Sequence, residues 1–291
     1  MQGNVRFAPS PTGYLHRGHI LSALYVWAFA QKHNLNVHLR IEDHDQSRMR
    51  PEYVKGIKED LEWLGFKHQT YSIQSKKDSV YQHYLQKLQE KKMVYPCTCS
   101  RKKLQEENPI SQTGEIIYQG ACRFILNSPQ PFDFSTPHAL RFCCPDKKIE
   151  WNDLRLGSFQ ENPAEQCGDF TIKDRHNQWT YQFAVCCDDI DENITHIVRG
   201  EDIRNSTARQ IALMDVLGRP TPPVYYHHPL IVDASGKKLS KRELAHSIRQ
   251  DKDGGINAEA LLGLVCYEAQ LQETPQPLSL DRAISIVIAS L

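Results

Sequence analysis

The sequence predicts an α/β protein with a Rossmann-type, doubly wound parallel sheet, a cysteine-containing insertion and a small helical C-terminal appendage. Three observations predict this fold class. Apolar strand-like runs alternate with helical patterns over the first 96 residues, a turn-rich stretch then interrupts the alternation, and amphipathic helical patterns close the chain. At 291 residues the chain is long enough for two domains, or for one domain with insertions.

The N-terminal elements form a right-handed βαβ unit in this prediction. Residues 4–8 and 36–41 are apolar runs typical of buried parallel strands, and they flank a predicted helix over residues 18–33. Pro51 suits the first turn of a second helix, which Gly65 ends. A third helix is predicted over residues 78–92.

Residues 97–170 are rich in short strands, prolines and turns, and we expect an insertion there rather than part of the core sheet. The core is predicted to return with strands at 179–185 and 196–199. A helix capped by Asn205 or Ser206 and closed by Gly218 follows them. Helices over 258–271 and 280–291 form the predicted appendage. The domain boundaries are therefore 1–96 and 171–235 for the two halves of the core, 97–170 for the insertion and 236–291 for the appendage.

Charge and cysteine content restrict the environment and the partners. Lys plus Arg and Asp plus Glu both number 35, so any contact with nucleic acid must come from local basic patches. The candidate patches are 101–103, 147–148 and 237–242. The sequence has no signal-peptide pattern and no apolar run of membrane-spanning length, so we expect a soluble cytoplasmic protein without a membrane partner. The adjacent cysteines 143–144 and 186–187 lie in strand-like runs and are interpreted as small buried hydrophobic residues.

Two short segments have the residue types of a phosphate site. Residues 9–19 carry a Pro-x-Pro turn, two glycines and two histidines at a predicted strand-to-helix junction, where backbone amides attract phosphate. The spacing of Gly13 and Gly18 is that of a P-loop, but His19-Ile20 replaces the Lys-Ser/Thr pair, which excludes a P-loop NTPase. Residues 237–242 place lysines and a serine on a loop. Alone, the first segment is compatible with an ordinary turn and helix cap, and the second with a solvated basic turn.

Together the segments resemble the two signatures of class I aminoacyl-tRNA synthetases, the HIGH-type sequence (here His16-Arg17-Gly18-His19) and the KMSKS-type sequence (here Lys238-Leu239-Ser240-Lys241-Arg242). The glutamyl branch is indicated by the sequences at 6–13, 39–43 and 198–202. The resemblance implies an ATP site that receives ATP with Mg2+. The implied ATP-binding residues are Pro9, His16, Gly18, His19, Ser240 and Lys241, and the implied catalytic residues are His16, His19, Lys238 and Lys241. Arg17, His44 and Arg242 depart from the usual pattern of the branch.

A site for L-glutamate needs an anionic group for the ammonium and fixed cations for carboxylate. Glu42, at the predicted carboxyl end of the second strand, suits the ammonium. Arg6 and Arg199, at other strand ends, suit carboxylate through bidentate forks. Ser10 and Tyr181 can add neutral hydrogen bonds. All five match positions that line the glutamate site in the family that the chain resembles.

The cysteines at 97, 99 and 122 offer three thiolates within the insertion, which has little apolar sequence for a core of its own. Structural Zn2+ stabilises folds of this kind, so we predict a zinc site formed by Cys97, Cys99 and Cys122. The resemblance implies Tyr118 as the fourth ligand, and zinc would have to promote deprotonation of its phenol. Unligated cysteines are the alternative.

The resemblance implies that the chain activates glutamate as glutamyl-adenylate. We expect no anticodon-binding domain, because little sequence follows Arg242. Members of the glutamyl branch without that domain place glutamate on the queuosine base in the anticodon of tRNA(Asp), which makes queuosine-bearing tRNA(Asp) the expected partner. A minimal, truncated or partnered enzyme that acylates tRNA(Glu) is one alternative. A non-catalytic paralogue that binds glutamate or ATP is another.

Overall fold

A computed structural model describes residues 2–44, 49–111, 114–128, 137–231 and 246–291. Its strands are β1 (Asn4–Phe7), β2 (Asn36–Ile41), β3 (Thr70–Ile73), β4 (Val94–Cys97), β5 (Ala139–Phe142), β6 (Ile149–Asp153), β7 (Gly157–Glu161), β8 (Thr171–Lys173), β9 (His196–Gly200) and β10 (Val224–His228). Its helices are α1 (Arg17–His33), α2 (Pro51–Trp63), α3 (Asp78–Glu90), α4 (Arg101–Glu107), α5 (Pro163–Gln166), α6 (Tyr181–Asp191), α7 (Thr207–Leu217), α8 (Ile248–Asp253), α9 (Ala258–Glu268) and α10 (Leu280–Ser290).

The main sheet has seven strands in the order β3-β2-β1-β9-β10-β6-β7. Every neighbouring pair is parallel except β6 and β7, which form an antiparallel hairpin. The order turns back between β1 and β9, so the carboxyl ends of β1, β2 and β9 lie together at one edge. In open α/β sheets this edge is where ligands bind. The predicted α/β class with a mostly parallel sheet is confirmed.

The predicted N-terminal elements match the structure closely. The second strand has the predicted bounds, and α1 begins one residue before the predicted start. Pro51 occupies the first turn of α2, and Gly65 has a positive φ of 84° just beyond its end. Ten residues of α1 are buried, which explains why its pattern is apolar on most sides rather than on one stripe.

The prediction of a strand at residues 179–185 is wrong, because Tyr181 begins helix α6. Residues 183–189 are buried without interruption. A short, continuous apolar run is compatible with either a buried strand or a buried helix, and periodicity cannot separate them. Cys186 and Cys187 are buried as predicted, but they lie on this helix rather than on a strand. Each of the nine cysteines is a free thiol.

The prediction that residues 97–170 lie outside the core sheet is wrong for β6 and β7. Tyr225 of β10 pairs with Asp153 of β6, and the hairpin extends the main sheet by two strands. The rest of the segment contributes to a separate antiparallel sheet in the order β4-β5-β8. The domain boundaries themselves stay a prediction.

The C-terminal helices are part of the main core rather than a peripheral appendage. Leu261, Val265 and Val287 belong to the same buried cluster as Val5 and Ile20. Arg17 forms ion pairs with Asp251 and Glu268 on the C-terminal helices, at 2.8 and 2.5 Å. The start of α1 is therefore held by the C-terminal helices. In the described part of the chain, no helix is long and apolar enough to cross a membrane.

Candidate functional site

A pocket of about 140 Å³ lies at the carboxyl ends of β1, β2 and β9. The backbone N–H of Glu42 donates to the carbonyl of Pro9 at 3.1 Å, which holds the ends of β1 and β2 together. Residues that the sequence analysis assigned to the glutamate and ATP sites line this pocket, namely Arg6, Pro9, His19, Glu42, Tyr181 and Arg199. The topology thus brings together six side chains from distant parts of the sequence.

Arg199 is a buried cation whose local partners are all neutral. Its Nε, Nη1 and Nη2 donate to His227 Nε2, Gln210 Oε1 and Thr207 Oγ1 at 3.0, 2.7 and 2.9 Å. One N–H on each terminal nitrogen remains, so the side chain can still offer a two-pronged fork to a carboxylate. A cation held in this way favours an anionic ligand, because burial without a counter-charge is costly.

His227 and Asp153 fix the orientation of Arg199. Since Arg199 Nε must meet the lone pair of His227 Nε2, the proton of the imidazole lies on Nδ1 and points to Asp153 Oδ2 at 2.7 Å. Burial outweighs the hydrogen bond to Asp153 and lowers the pKa of His227, so the ring is neutral near pH 7. Asp153 lies on β6, in the segment predicted as an insertion, and the sequence analysis missed this support.

Arg6 belongs to a buried ionic cluster behind the pocket. Its Nε donates to Asp189 Oδ1 at 3.0 Å, and Arg40 donates to the same oxygen at 2.5 Å. Burial raises the pKa of Asp189, but Arg6 and Arg40 outweigh it and lower the pKa, which keeps the carboxylate ionised. The described residues give the two terminal nitrogens of Arg6 no hydrogen-bond partner. The sequence signal for this cluster was an Asp-Asp pair directly after the apolar run of α6.

Glu42 lines the pocket and is 6% exposed. Burial raises the pKa of its carboxyl group to about 7, although Arg40 and Arg6 act in the opposite direction. The Nη1 of Arg40 lies 3.6 Å from Glu42 Oε1, too far for a good hydrogen bond. A cationic group in the pocket would therefore give Glu42 a hydrogen-bonded charge partner in addition to Arg40.

Tyr181 and Ser10 differ in their placement. Tyr181 is the first residue of α6 and lines the pocket, and burial raises the pKa of its phenol, so the hydroxyl keeps its proton and can donate. Ser10 is exposed and is not among the residues that line the pocket. Its proposed role in glutamate binding therefore has no support from the pocket geometry.

His16 and His19 lie at the start of α1 with their ring centroids 3.7 Å apart. The backbone N–H of His16 donates to His19 Nδ1 at 3.2 Å, which places the proton of a neutral His19 on Nε2. Burial, together with the nearby His16, lowers the pKa of His19 to about 3. His19 is thus a neutral donor at a helix N-terminus, and Gly18 lies beside it in the first turn of α1. Such a terminus attracts anions.

Three assigned residues, Lys238, Ser240 and Lys241, lie outside the described residues. Two of the three departures seen in the sequence, Arg17 and His44, have local explanations, and Arg242 lies outside the described residues. Arg17 points to the C-terminal helices, and the Nδ1–H of His44 donates a hydrogen bond to Gln74 Oε1 at 2.8 Å. Neither residue lines the pocket.

The predicted metal ligands form one buried cluster. The Sγ atoms of Cys97, Cys99 and Cys122 all lie within 4.8 Å of one another. The phenol oxygen of Tyr118 lies 3.5 Å from Sγ of both Cys97 and Cys99. Tetrahedral zinc with ordinary bond lengths requires about 3.8 Å between two thiolates and about 3.5 Å between a thiolate and an oxygen. The four side chains therefore fit one tetrahedral Zn2+.

The surroundings of the cluster favour the negatively charged form of Cys97. The guanidinium of Arg141 lies 3.9 Å from the ring centroid of Tyr118. Burial raises the pKa of the Cys97 thiol, but hydrogen bonds with Tyr118 and Arg141 outweigh it and bring the pKa to about 7. Burial raises the pKa of Tyr118, so its phenol is protonated when no metal is bound. Metal binding would have to displace that proton.

Comparison with known proteins identifies the family to which the chain belongs. Residues 3–272 match the model of the "tRNA synthetases class I (E and Q), catalytic domain" family. The chain belongs to this family. It is 38% identical over 272 residues to the glutamyl-Q tRNA(Asp) synthetase of Neisseria meningitidis serogroup C, a match that covers 93% of this chain and 89% of that protein.

Full-length glutamate–tRNA ligases are equally similar over a shorter part of their length. The ligase of Aquifex aeolicus is 37% identical, and the match covers 90% of this synthetase-family chain but 56% of the ligase. The crystal structure of a glutamate tRNA ligase from Elizabethkingia meningosepticum, in complex with its amino acid, superposes with a TM-score of 0.77 at 26% identity. That superposition covers 98% of this chain and 64% of the ligase.

Proposed function

We propose that this chain activates L-glutamate with ATP, supplied with Mg2+, to form glutamyl-adenylate. The observation that carries the proposal is the pocket at the ends of β1, β2 and β9, where two arginines, a buried glutamate and a phenol meet beside the N-terminus of α1. An amino acid with a side-chain carboxylate has the complementary charges. Four of the lining residues, Arg6, Glu42, Tyr181 and Arg199, match family positions for glutamate, and Pro9 and His19 match positions for ATP.

Glu42 receives the α-ammonium in this proposal, and the arginines hold carboxylate. Arg199 offers one free N–H on each terminal nitrogen, and Arg6 offers both terminal nitrogens while its Nε stays on Asp189. Tyr181 adds a neutral donor. The bound substrate thereby supplies a counter-ion to Arg199, whose hydrogen-bond partners among the described residues are neutral, and a second cation to Glu42.

The α-carboxylate of glutamate attacks the α-phosphorus of ATP in line. The new bond joins carboxylate oxygen to phosphorus, and the bond from that phosphorus to the bridging oxygen breaks, releasing pyrophosphate. Since no enzyme group is modified covalently, catalysis consists of positioning and charge stabilisation. His16, His19 and the amide of Gly18 are proposed to donate to phosphate oxygens. Lys238, Ser240 and Lys241 are proposed to clamp the triphosphate.

A structural Zn2+ held by Cys97, Cys99, Cys122 and Tyr118 is part of the proposal. It would crosslink the end of β4 to the segment around Cys122, where apolar packing is sparse. Arg141 offsets part of the negative charge that remains when four anionic ligands hold Zn2+. The site lies in the small sheet rather than at the glutamate pocket, so its role is in folding.

The second step transfers glutamate to the queuosine base in the anticodon of tRNA(Asp). A nucleoside hydroxyl attacks the acyl carbon of the mixed anhydride, an ester forms and AMP leaves. The support is the match with proteins named glutamyl-Q tRNA(Asp) synthetase, at 35–38% identity over 89–91% of their length. The second candidate is acylation of tRNA(Glu), favoured by the similar identity to glutamate–tRNA ligases.

Acylation with labelled glutamate and ATP tests the proposal. The substrates are tRNA(Asp) with queuosine, tRNA(Asp) without it, and tRNA(Glu). We expect label on queuosine-bearing tRNA(Asp) alone. Label on tRNA(Glu) would instead support the second candidate. ATP–pyrophosphate exchange without any acylation would limit the function to activation, and absence of exchange with every RNA present would leave a glutamate- or ATP-binding paralogue.

A further inference from the structure

An ion network at the start of helix α1 has no role in the activation step described above. Arg17 is the first residue of α1, but its side chain does not line the glutamate pocket. Its Nε and Nη2 donate to Asp251 Oδ2 and Oδ1 at 3.2 and 2.8 Å, and its Nη1 donates to Glu268 Oε1 at 2.5 Å. We call these three side chains the Arg17 network. Because the pair with Asp251 is bidentate, it fixes the plane of the guanidinium as well as its position.

Asp251 is a fixed anchor for this network. It lies on α8 and is 3% exposed. The backbone N–H of Ile248 donates to the carbonyl of Leu15 at 2.9 Å, and Ser247 forms an antiparallel bridge with His16. The start of α8 therefore lies against the two residues that precede α1, and the Arg17 network extends this contact into the first turn of α1.

The network also balances an unfavourable charge. A cation in the first turn of a helix lies at the positive end of the helix dipole. The first turn of α1 contains no acidic residue of its own, so Asp251 and Glu268 supply the negative charge from other helices. Without Asp251, the partly buried Arg17 would lose its bidentate partner, and we expect the first turn to shift as the guanidinium moves towards water.

The first turn of α1 carries groups that are proposed to contact ATP. The backbone N–H of His16 donates to His19 Nδ1, and the two rings lie 3.7 Å apart, so both rings should move with the turn. A misplacement of about 1 Å can cost about 10²-fold in rate. The proposed ligands of glutamate, Arg6, Glu42 and Arg199, lie on or directly after strands of the main sheet, and the Arg17 network does not contact them.

We propose that Arg17 and Asp251 are positioning residues for the activation step. Their ion pair holds the first turn of α1 where its donors meet the phosphates of ATP, and Glu268 supports the same guanidinium. Neither residue touches a reacting atom, so both act through the placement of the turn. This inference rests on the proposed function, since it requires ATP chemistry at the start of α1.

The test compares Asp251→Asn, Arg17→Met and the double variant with wild type. The matched control is Asp60→Asn. Asp60 is 2% exposed and its Oδ1 lies 2.9 Å from Nε of Arg249, so this pair joins the same helix α8 to α2 rather than to α1. ATP–pyrophosphate exchange at pH 8 gives kcat/KM for ATP and KM for glutamate, and thermal unfolding gives Tm.

We expect each single variant to lower kcat/KM for ATP about tenfold, while KM for glutamate changes by less than about twofold. Because Arg17 and Asp251 act through one contact, the double variant should lose no more than the larger single loss. Asp60→Asn should lower Tm but keep both kinetic constants near wild-type values, since its pair does not reach α1.

Unchanged kcat/KM for ATP in both single variants, multiplied losses in the double variant, or an equal loss in Asp60→Asn would overturn the proposal. If Asp251→Asn does not fold, Glu268→Gln replaces it, because Glu268 is 23% exposed. A loss confined to the ATP constant in Glu268→Gln would support the proposal, and unchanged constants would overturn it. Absence of exchange in wild type would reject the proposed function itself, whereas wild-type exchange that no variant alters would reject this inference alone.

Discussion

Binding of glutamate should weaken as the pH falls through 7, because the proposed partner of its ammonium is a carboxyl group with a raised pKa. Burial raises the pKa of Glu42 to about 7 in the free protein. The ionised form is the one that binds ammonium. Binding should therefore weaken as the pH falls, because Glu42 is ionised above this pKa and becomes neutral below it.

The size of the expected change in KM for glutamate follows from the fraction of Glu42 that is ionised. With a pKa of about 7, roughly 90% of Glu42 is ionised at pH 8 and roughly 10% at pH 6. Apparent affinity is reduced by the fraction in the competent state, so KM for glutamate should rise about tenfold between pH 8 and pH 6. Since only substrate binding depends on this group, KM for ATP should change much less over the same range.

The assay is ATP–pyrophosphate exchange at several glutamate concentrations between pH 6 and pH 8. Glu42→Gln is the control, because an amide cannot titrate. Its KM should be raised at least tenfold at pH 8, the cost of a lost charged hydrogen bond, and should be independent of pH. A flat pH profile in wild type, or a pH-dependent KM in Glu42→Gln, would refute the assignment of Glu42.

Three further predictions concern the support of the site, the lysine loop and the metal. Asp189→Asn should lower the free energy of unfolding in urea by about 3 kcal/mol, because two buried arginines lose a shared carboxylate. The control, Asp191→Asn at a more exposed position, should lower it by under about 1 kcal/mol. Equal losses in the two variants would contradict the role of the cluster. Lys241→Ala should slow exchange about 10²-fold with little change in KM for glutamate, and equal changes in both would count against a phosphate clamp. Elemental analysis should find one zinc per chain, absent from Cys99→Ser but retained in Cys143→Ser, and a metal-free wild type that unfolds at the same temperature would exclude a structural zinc.

Local sequence patterns were sufficient to predict most elements of the fold. The βαβ start, the helix that begins at Pro51 and the two C-terminal helices follow from apolar periodicity and from residues that start or stop helices. The motifs also led to Arg6, Glu42 and Arg199, which the structure places around one pocket. Their spacing in the sequence indicates strand ends, and parallel strands bring their carboxyl ends to one edge.

Contacts between residues that are distant in the sequence determined the features of the fold and the site that local patterns did not predict. The sequence did not predict the helix at residues 181–191, because a segment buried on most sides lacks the apolar periodicity that distinguishes a helix from a strand. The pairing of β6 with β10 sets Asp153 beside His227, 74 positions along the chain, and this contact fixes Arg199. No local pattern encodes such a contact.

The sequence by itself therefore determined the family, most of the elements and the charged residues that line the pocket, because these depend on motifs and on neighbours within a few positions. Only the tertiary structure decided how these charges are balanced: Arg199 is held by neutral partners among the described residues, Arg6 by Asp189, and Glu42 by Arg40 at 3.6 Å. It also produced a cavity of about 610 Å³ whose lining residues come from three separated segments of the chain. The physical reason is that charge balance and cavity shape depend on which distant side chains share one low-dielectric space.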